Sequence, residues 1–238
     1  MNFKLGDLQH LSVILLTFII SFLFIIPPYF AKKKSTKKVF TSLLLILLIL
    51  TLLSTYIHRI VIYGFNFRYD LPLNICDMTI FLVIFTLLTK NKYSFELTYF
   101  WALGGSTQAL LTPDLFSSFP ELEFILFFSN HSLVIVSALF MVFIFKLRPT
   151  FKSVFRVILF TEIYLIIVAF INIILKANYC YLCSKPLNSS ILDHFGPWPI
   201  YVIFMHIFGL FLMIICYLPF LIRDLFVKRK EYSHRRKK

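Results

Sequence analysis

The sequence predicts an all-α, polytopic membrane helix bundle with seven transmembrane helices, and three observations carry that reading. Of 238 residues, 59% are hydrophobic and 15% charged, with mean hydropathy +0.85; a soluble domain averages about 45–50% apolar and about 25% charged residues. The apolar residues form continuous runs long enough to cross a bilayer, which takes about 20 residues at about 1.5 Å each. The 24 Lys and Arg residues alternate between successive loops. This composition excludes a soluble enzyme and a disordered chain. The unbroken runs exclude barrel strands, in which apolar and polar residues alternate.

In chain order the runs are roughly Leu11–Tyr29, Val39–Ile57, Ile75–Thr89, Phe95–Leu111, Phe124–Phe145, Val154–Leu175 and Ile200–Ile222. The first is too long for the apolar core of a signal peptide. Pro27-Pro28-Tyr29-Phe30-Ala31 also offers no small-x-small cleavage site, so the run reads as a retained helix. The third and fourth are short, which implies tilt or partial burial. No internal repeat is visible. Residues 1–222 read as one membrane domain and residues 223–238 as a basic cytoplasmic tail.

Charge sets the expected orientation. Lys32 to Lys38, Lys90, Lys92, Lys146 to Arg156 and the tail from Arg223 to Lys238 hold 19 of the 24 basic residues. The opposite side holds Lys4, Arg59, Arg68, Lys176 and Lys185. By the positive-inside rule the N-terminus is outside and the C-terminus cytoplasmic, in a multi-pass protein of the cell membrane. The net charge of +13 then has anionic lipid headgroups as its partner. No basic module with aromatic platforms accompanies it, so no nucleic acid is expected. Protein partners are not legible.

Polar groups inside spanning helices are costly and mark function by default. On this topology they gather at the outer ends. The third helix begins through Asp70-Leu71-Pro72-Leu73-Asn74-Ile75-Cys76-Asp77. Asp77 suits a positive helix N-terminus, and the same position favours the Cys76 thiolate. The fourth exits through Gly104-Gly105-Ser106-Thr107-Gln108 to Asp114, with Ala102, Gly105 and Ala109 as a small face. Asn130 and His131 follow Phe127-Phe128-Ser129 in the fifth; Asn172 lies at a similar level in the sixth, and Trp198 precedes the seventh.

A thiol and an imidazole are the minimum equipment for covalent acyl transfer, with Cys76 as nucleophile and His131 as base and then acid. Asn130, Gln108 or backbone amides would stabilise the oxyanion, and Asp77, Asp114, Asn172 and Trp198 complete the expected binding set. The plain alternatives are a Cys that only packs and a His that only bonds a neighbouring helix. The same Cys–His pair would serve a lipid ester hydrolase. A permease using the same cavity, extended by His206 and Glu162 toward the cytoplasm, is a rival reading, and a scaffold or receptor-like bundle without chemistry is a third. Cys180-Tyr181-Leu182-Cys183 lacks the second ligand pair of a zinc ribbon, so no metal is expected; a local disulfide and two free thiols both remain open. No phosphate loop, nucleophile elbow or zinc-protease motif is present.

Five blocks together carry a family resemblance: Leu71 to Asp77, Tyr99-Phe-Trp101 with Gln108 to Asp114, Phe127 to His131, Asn178-Tyr179 with Lys185-Pro186, and Gly196-Pro-Trp-Pro199. From about Tyr69 to Phe220 the chain resembles the YwaF-like family of bacterial integral membrane proteins, itself distantly similar to the eukaryotic acyltransferase transmembrane protein 164. It departs at Asn74, where His is usual, and at Ser132, where Gly is usual. The resemblance implies seven membrane helices and transfer of fatty-acyl chains between phospholipids and lysophospholipids. Cys76 and His131 then correspond to the nucleophile and the His of that branch. Such a transfer requires no cofactor.

Overall fold

The computed structural model describes residues 3–188 and 190–235. Among them the chain is helical, without strands: α1 Leu8–Phe30, α2 Lys34–Tyr63, α3 Ile75–Thr89, α4 Lys92–Trp101, a π turn Ala102–Ser106, α5 Thr107–Leu111, α6 Leu122–Phe143, α7 Phe151–Leu175 and α8 Ile200–Arg235. Five of these, α1, α2, α6, α7 and α8, are long and apolar enough to cross a membrane. The apolar α3 has 15 residues, and α4, the π turn and α5 form one unbroken helical run.

Two helices run well past their expected bounds. Helix α2 extends beyond Val39–Ile57 at both ends, taking in the lysines at its start and His58 and Arg59 near its finish. Lys and Arg are good helix formers whose stems lie along apolar surface, so a change to charge does not end a helix. Likewise α8 passes Ile222 and reaches Arg235, because neither Gly nor Pro interrupts the stretch after Pro219. The expected tail is therefore, to Arg235, a continuation of α8. Arg236, Lys237 and Lys238 lie outside the described residues.

Helix α6 is the axis of the bundle. It touches α1, α2, α3, α4, α5 and the π turn, and Val134, Val136, Ala138, Phe140 and Met141 are buried along it. The core around it draws Leu44 and Leu48 from α2, Val83 from α3, Phe95 and Phe100 from α4, Val157 from α7 and Met213 from α8. Helix α1 turns its polar side inward. His10, Thr17 and Ser21 are buried, while Leu15, Phe18 and Phe22 are exposed. The Thr17 and Ser132 hydroxyls meet at 2.7 Å. His10 Nδ1 accepts from the Gly6 N–H at 3.0 Å, which leaves Nε2 to donate to the Leu110 carbonyl at 2.7 Å. This is the arrangement hydrocarbon surroundings require, with hydrogen bonds between helices and apolar side chains facing out.

At the opposite end of the bundle from the His10–Leu110 contact, α4 and α7 are joined by an ion pair that the sequence did not advertise. Glu96 is 1% exposed, and its two carboxylate oxygens accept from Arg156 Nε at 2.8 Å and Nη2 at 2.6 Å. The guanidinium also lies over the Tyr93 ring, 5.5 Å from its centroid. Removing one partner of a buried pair strands the other charge. Arg156→Ala is therefore expected to cost about 3–5 kcal/mol, read as a lowered unfolding midpoint of the purified protein in detergent. An unchanged midpoint would contradict this role.

Candidate functional site

One end of the bundle encloses a cavity of about 500 Å³, within the range of small-molecule sites. Its walls come from the last turns of α2 (Thr55, His58, Arg59), the start of α3 (Asn74, Cys76, Asp77) and the π turn with α5 (Gly104, Gly105, Ser106, Gln108, Ala109). The first half of α6 (Asn130, His131), the middle of α7 (Thr161, Glu162) and the first turns of α8 (His206) complete it. The α2, α3, α5 and α8 contributions come from helix ends and starts at the end of the bundle away from Lys32–Lys34, Lys90 and Lys146, and the α6 and α7 residues carry the cavity toward the middle of the bundle.

Cys76 is the second residue of α3, and Asp77 the third. Both are half-buried. Asn74 donates its amide to Asp77 Oδ2 at 3.1 Å and accepts from the Cys180 N–H at 3.0 Å, tying this helix start to the loop after α7. His131 lies on α6 with its ring against Phe127, centroids 4.4 Å apart, and its Nδ1 is 2.7 Å from the Phe127 carbonyl oxygen. A carbonyl only accepts, so Nδ1 carries the proton and Nε2 presents the lone pair of a base. Cys76 and His131 face the same cavity, yet no hydrogen bond joins them.

The remaining expected residues divide. Gln108 lines the cavity with its side-chain amide uncommitted among the described residues. Asn130 donates to Thr55 Oγ1 at 2.9 Å, and its Oδ1 is buried without a partner. Asp114 lines the cavity but serves the loop above it, accepting from Tyr181 Oη at 2.9 Å and from the Asn188 backbone and side chain at 3.2 and 3.0 Å. Asn172 and Trp198 are not in the cavity wall. The Asn172 side chain is spent on Tyr179, donating to its carbonyl at 2.9 Å and accepting from its N–H at 2.8 Å. Trp198 is exposed, and its indole N–H donates to the Leu182 carbonyl at 3.1 Å.

The loop 176–199 roofs the site. Cys180 and Tyr181 have φ of 58° and 53°, left-handed values that cost a non-glycine residue energy and persist only where the surroundings impose them. Here the surroundings are Asn172, Asn74, the Tyr201 hydroxyl on the Tyr181 carbonyl at 2.7 Å, and Asp114. Burial and the nearby Asp114 charge raise the Tyr181 hydroxyl above its ordinary pKa, so it stays a donor to that carboxylate. All four cysteines are free, so Cys180 and Cys183 are not bridged. Cys180 is buried, with its thiol donating to the Leu73 carbonyl at 3.2 Å, whereas Cys183 is exposed.

Three groups in the wall were missed as site residues or left ambiguous. Tyr181 reads from sequence only as part of the C-x-x-C loop, and Arg59 only as a topology charge. His206 and Glu162 form a pair, Nε2 to Oε2 3.3 Å, across α8 and α7.

A model of the TMEM164 family matches residues 5–217. The chain belongs to the TMEM164 family. A protein of Treponema pallidum (strain Nichols), described only as an uncharacterized protein, is 28% identical over 157 residues, which is 66% of this chain and 65% of that relative. The match thus spans about two thirds of the relative's length. No solved structure matches the chain.

Thiol chemistry checks the roof. Burial pushes the Cys180 thiol up to about 12, leaving it un-ionised at neutral pH. In a variant retaining only Cys180 and Cys183, maleimide is expected to label Cys183 about 100-fold faster or more at pH 7. Adding Asp114→Ala, which releases Tyr181 and Asn188, is expected to speed Cys180 labelling. Equal rates at the two thiols without that change would refute the closed roof.

Proposed function

We propose that this TMEM164-family protein is a lipid acyltransferase of the cell membrane, belonging to the YwaF-like bacterial members. In this reading seven segments cross the membrane, with α3 and the α4–α5 run making the two short spans, the N-terminus outside and the C-terminus cytoplasmic. The basic loops meet anionic headgroups on the cytoplasmic face. The observation that carries the proposal is the shared cavity: Cys76, the free Nε2 of His131 and the uncommitted amide of Gln108 line one wall system. Its α7–α8 side reaches the flank of the bundle. There Glu162 and His206 keep 41% and 25% side-chain exposure among the exposed Leu159, Ile163, Ile203 and Ile207. A cavity open to that flank can receive a lipid sideways.

In the proposed reaction His131 Nε2 takes the Cys76 proton as the sulfur attacks the ester carbonyl of a phospholipid. The tetrahedral oxyanion is stabilised by the Gln108 amide, with the second N–H of Asn130 available beside it. Collapse breaks the ester C–O bond. The departing lysolipid oxygen takes the proton from His131, and the acyl chain stays on Cys76 as a thioester. A second lysolipid hydroxyl, or water, then attacks the thioester and the sequence runs in reverse. Catalytic hydrogen bonds of this kind tighten when substrate is in place, so the missing Cys76–His131 bond does not oppose the assignment.

The Glu162–His206 pair favours one second reading, a permease whose polar path continues along α7 and α8. Transfer of a labelled acyl chain from phosphatidylcholine to lysophospholipid, on purified protein in nanodiscs, separates the two. Cys76→Ser is expected to abolish transfer, and His131→Ala to lower it about 100-fold or more. Turnover unchanged in both variants would discard the acyltransferase. Solute flux into proteoliposomes that survives Cys76→Ser would support the permease.

A further inference from the structure

Three other arginines of the folded bundle are neutralised or tied down. Arg148 pairs with Asp224 at 2.7 Å and Arg156 with Glu96 at 2.6 Å, while Arg68 donates to the Leu175 carbonyl at 3.1 Å. Arg59 is different. It is the one Lys or Arg in the cavity wall, and among the described residues it makes neither a hydrogen bond nor an ion pair. It acts on Asp77 only through space, and Asp77 takes its hydrogen bond from Asn74 instead. The other cavity carboxylates are likewise engaged, Asp114 by Tyr181 and Asn188, Glu123 by Ser117, and Glu162 by His206.

Depth gives this cation its meaning. Arg59 follows Lys34, the first residue of α2, by 25 positions, which places it about 38 Å further along the helix axis. A bilayer is about 40–45 Å thick with its headgroups and about 30 Å without them. With Lys34 at one interface, Arg59 stands at the headgroup level of the other, at the cavity wall and beside His58. The acyl-bearing part of a lipid would lie deeper, toward Cys76, His131 and the apolar lining of Ile80, Val134 and Leu165. A guanidinium presents a planar fork of donors that matches two phosphate oxygens at once.

We infer that Arg59, with its neighbour His58, forms a phosphate-binding subsite at the headgroup-level end of the cavity wall, where it holds the phosphodiester of a phospholipid headgroup or the equivalent free phosphate. The subsite deepens the acyltransferase reading and rests on it for the identity of the bound lipid. It anchors the headgroup while the ester linkages hang toward Cys76, and so acts in recognition, with no part in bond making.

Binding is the measurement. Purified full-length protein in detergent is titrated with dihexanoyl phosphatidylcholine, with dihexanoyl glycerol, which lacks the phosphate, and with inorganic phosphate, each read by calorimetry. Wild type and Cys76→Ser are expected to bind the phospholipid alike. Arg59→Gln is expected to lose about tenfold or more in phospholipid affinity, with Arg59→Lys intermediate and the binding of dihexanoyl glycerol unchanged by either. Inorganic phosphate that binds alone and displaces the phospholipid identifies a shared phosphate site. Inorganic phosphate that binds through Arg59 without competition from the lipid assigns the site to the free ion. Phospholipid affinity unchanged in a folded Arg59→Gln protein, with an unfolding midpoint equal to wild type, overturns the inference. The Cys76→Ser arm separates the two proposals: loss of acyl transfer with binding intact leaves the subsite standing, and loss of Arg59 dependence with transfer intact leaves the chemistry standing.

Discussion

In hydrocarbon, two helices gain little by hiding apolar surface from a solvent that is itself apolar, so close fit and hydrogen bonds must hold them together. This bundle meets that constraint through α6. Ser132 meets Thr17 of α1, Asn130 meets Thr55 of α2, and the densely buried Val134 to Met141 segment fills the centre. Away from α6 the same device recurs where Trp101 Nε1 donates to Thr161 Oγ1 at 2.8 Å, joining α4 to α7. The polar seam along these contacts widens at one end into the cavity. Asn130, which fastens α2, is the immediate neighbour of His131, so the helix that carries Arg59 is indexed directly to the residue proposed as the base.

The roof obeys a different logic. Apart from two short 3-10 turns, Tyr179–Tyr181 and Ile191–Phe195, its backbone must find partners one by one. Tyr179 is gripped by Asn172, and its own hydroxyl donates to the Phe67 carbonyl at 2.8 Å while accepting from the Leu71 N–H at 2.9 Å. Tyr164 reaches the Leu73 carbonyl at 2.8 Å. These bonds stitch the loop after α7 to the segment leading into α3. The position of Cys76 therefore depends on residues about a hundred positions later in the chain.

Much of this was legible beforehand, because a bilayer punishes polar residues and the exceptions stand out. The long runs, the gathering of polar groups at one end, and the pairing of Cys76 and His131 in one cavity all follow from that pressure. Asn172 and Trp198, expected in the binding set, lie outside the cavity wall for an instructive reason. A polar side chain at the outer level is expected both in a cavity wall and in a loop anchor, and depth alone does not separate them. Glu96 and Arg156 lie 60 positions apart, so only the folded chain shows them to be partners. The ends of α2 and α8 were drawn too short because charge was read as a stop signal, whereas Lys and Arg side chains leave the backbone hydrogen bonding intact.

The π turn at Ala102–Ser106 amounts to one surplus residue spliced into an otherwise regular helix. A single residue turns the helix by about 100°. Below the splice, α4 answers to its neighbours α3 and α7 through Phe95, Glu96 and Trp101; above it, Gln108 and Ala109 are rotated onto the cavity. The two halves are thereby geared separately. Deleting one residue from Ala102–Ser106 would mesh them again and swing the Gln108 amide a quarter-turn or so away from Cys76, while every side chain named in the chemistry remained in the sequence.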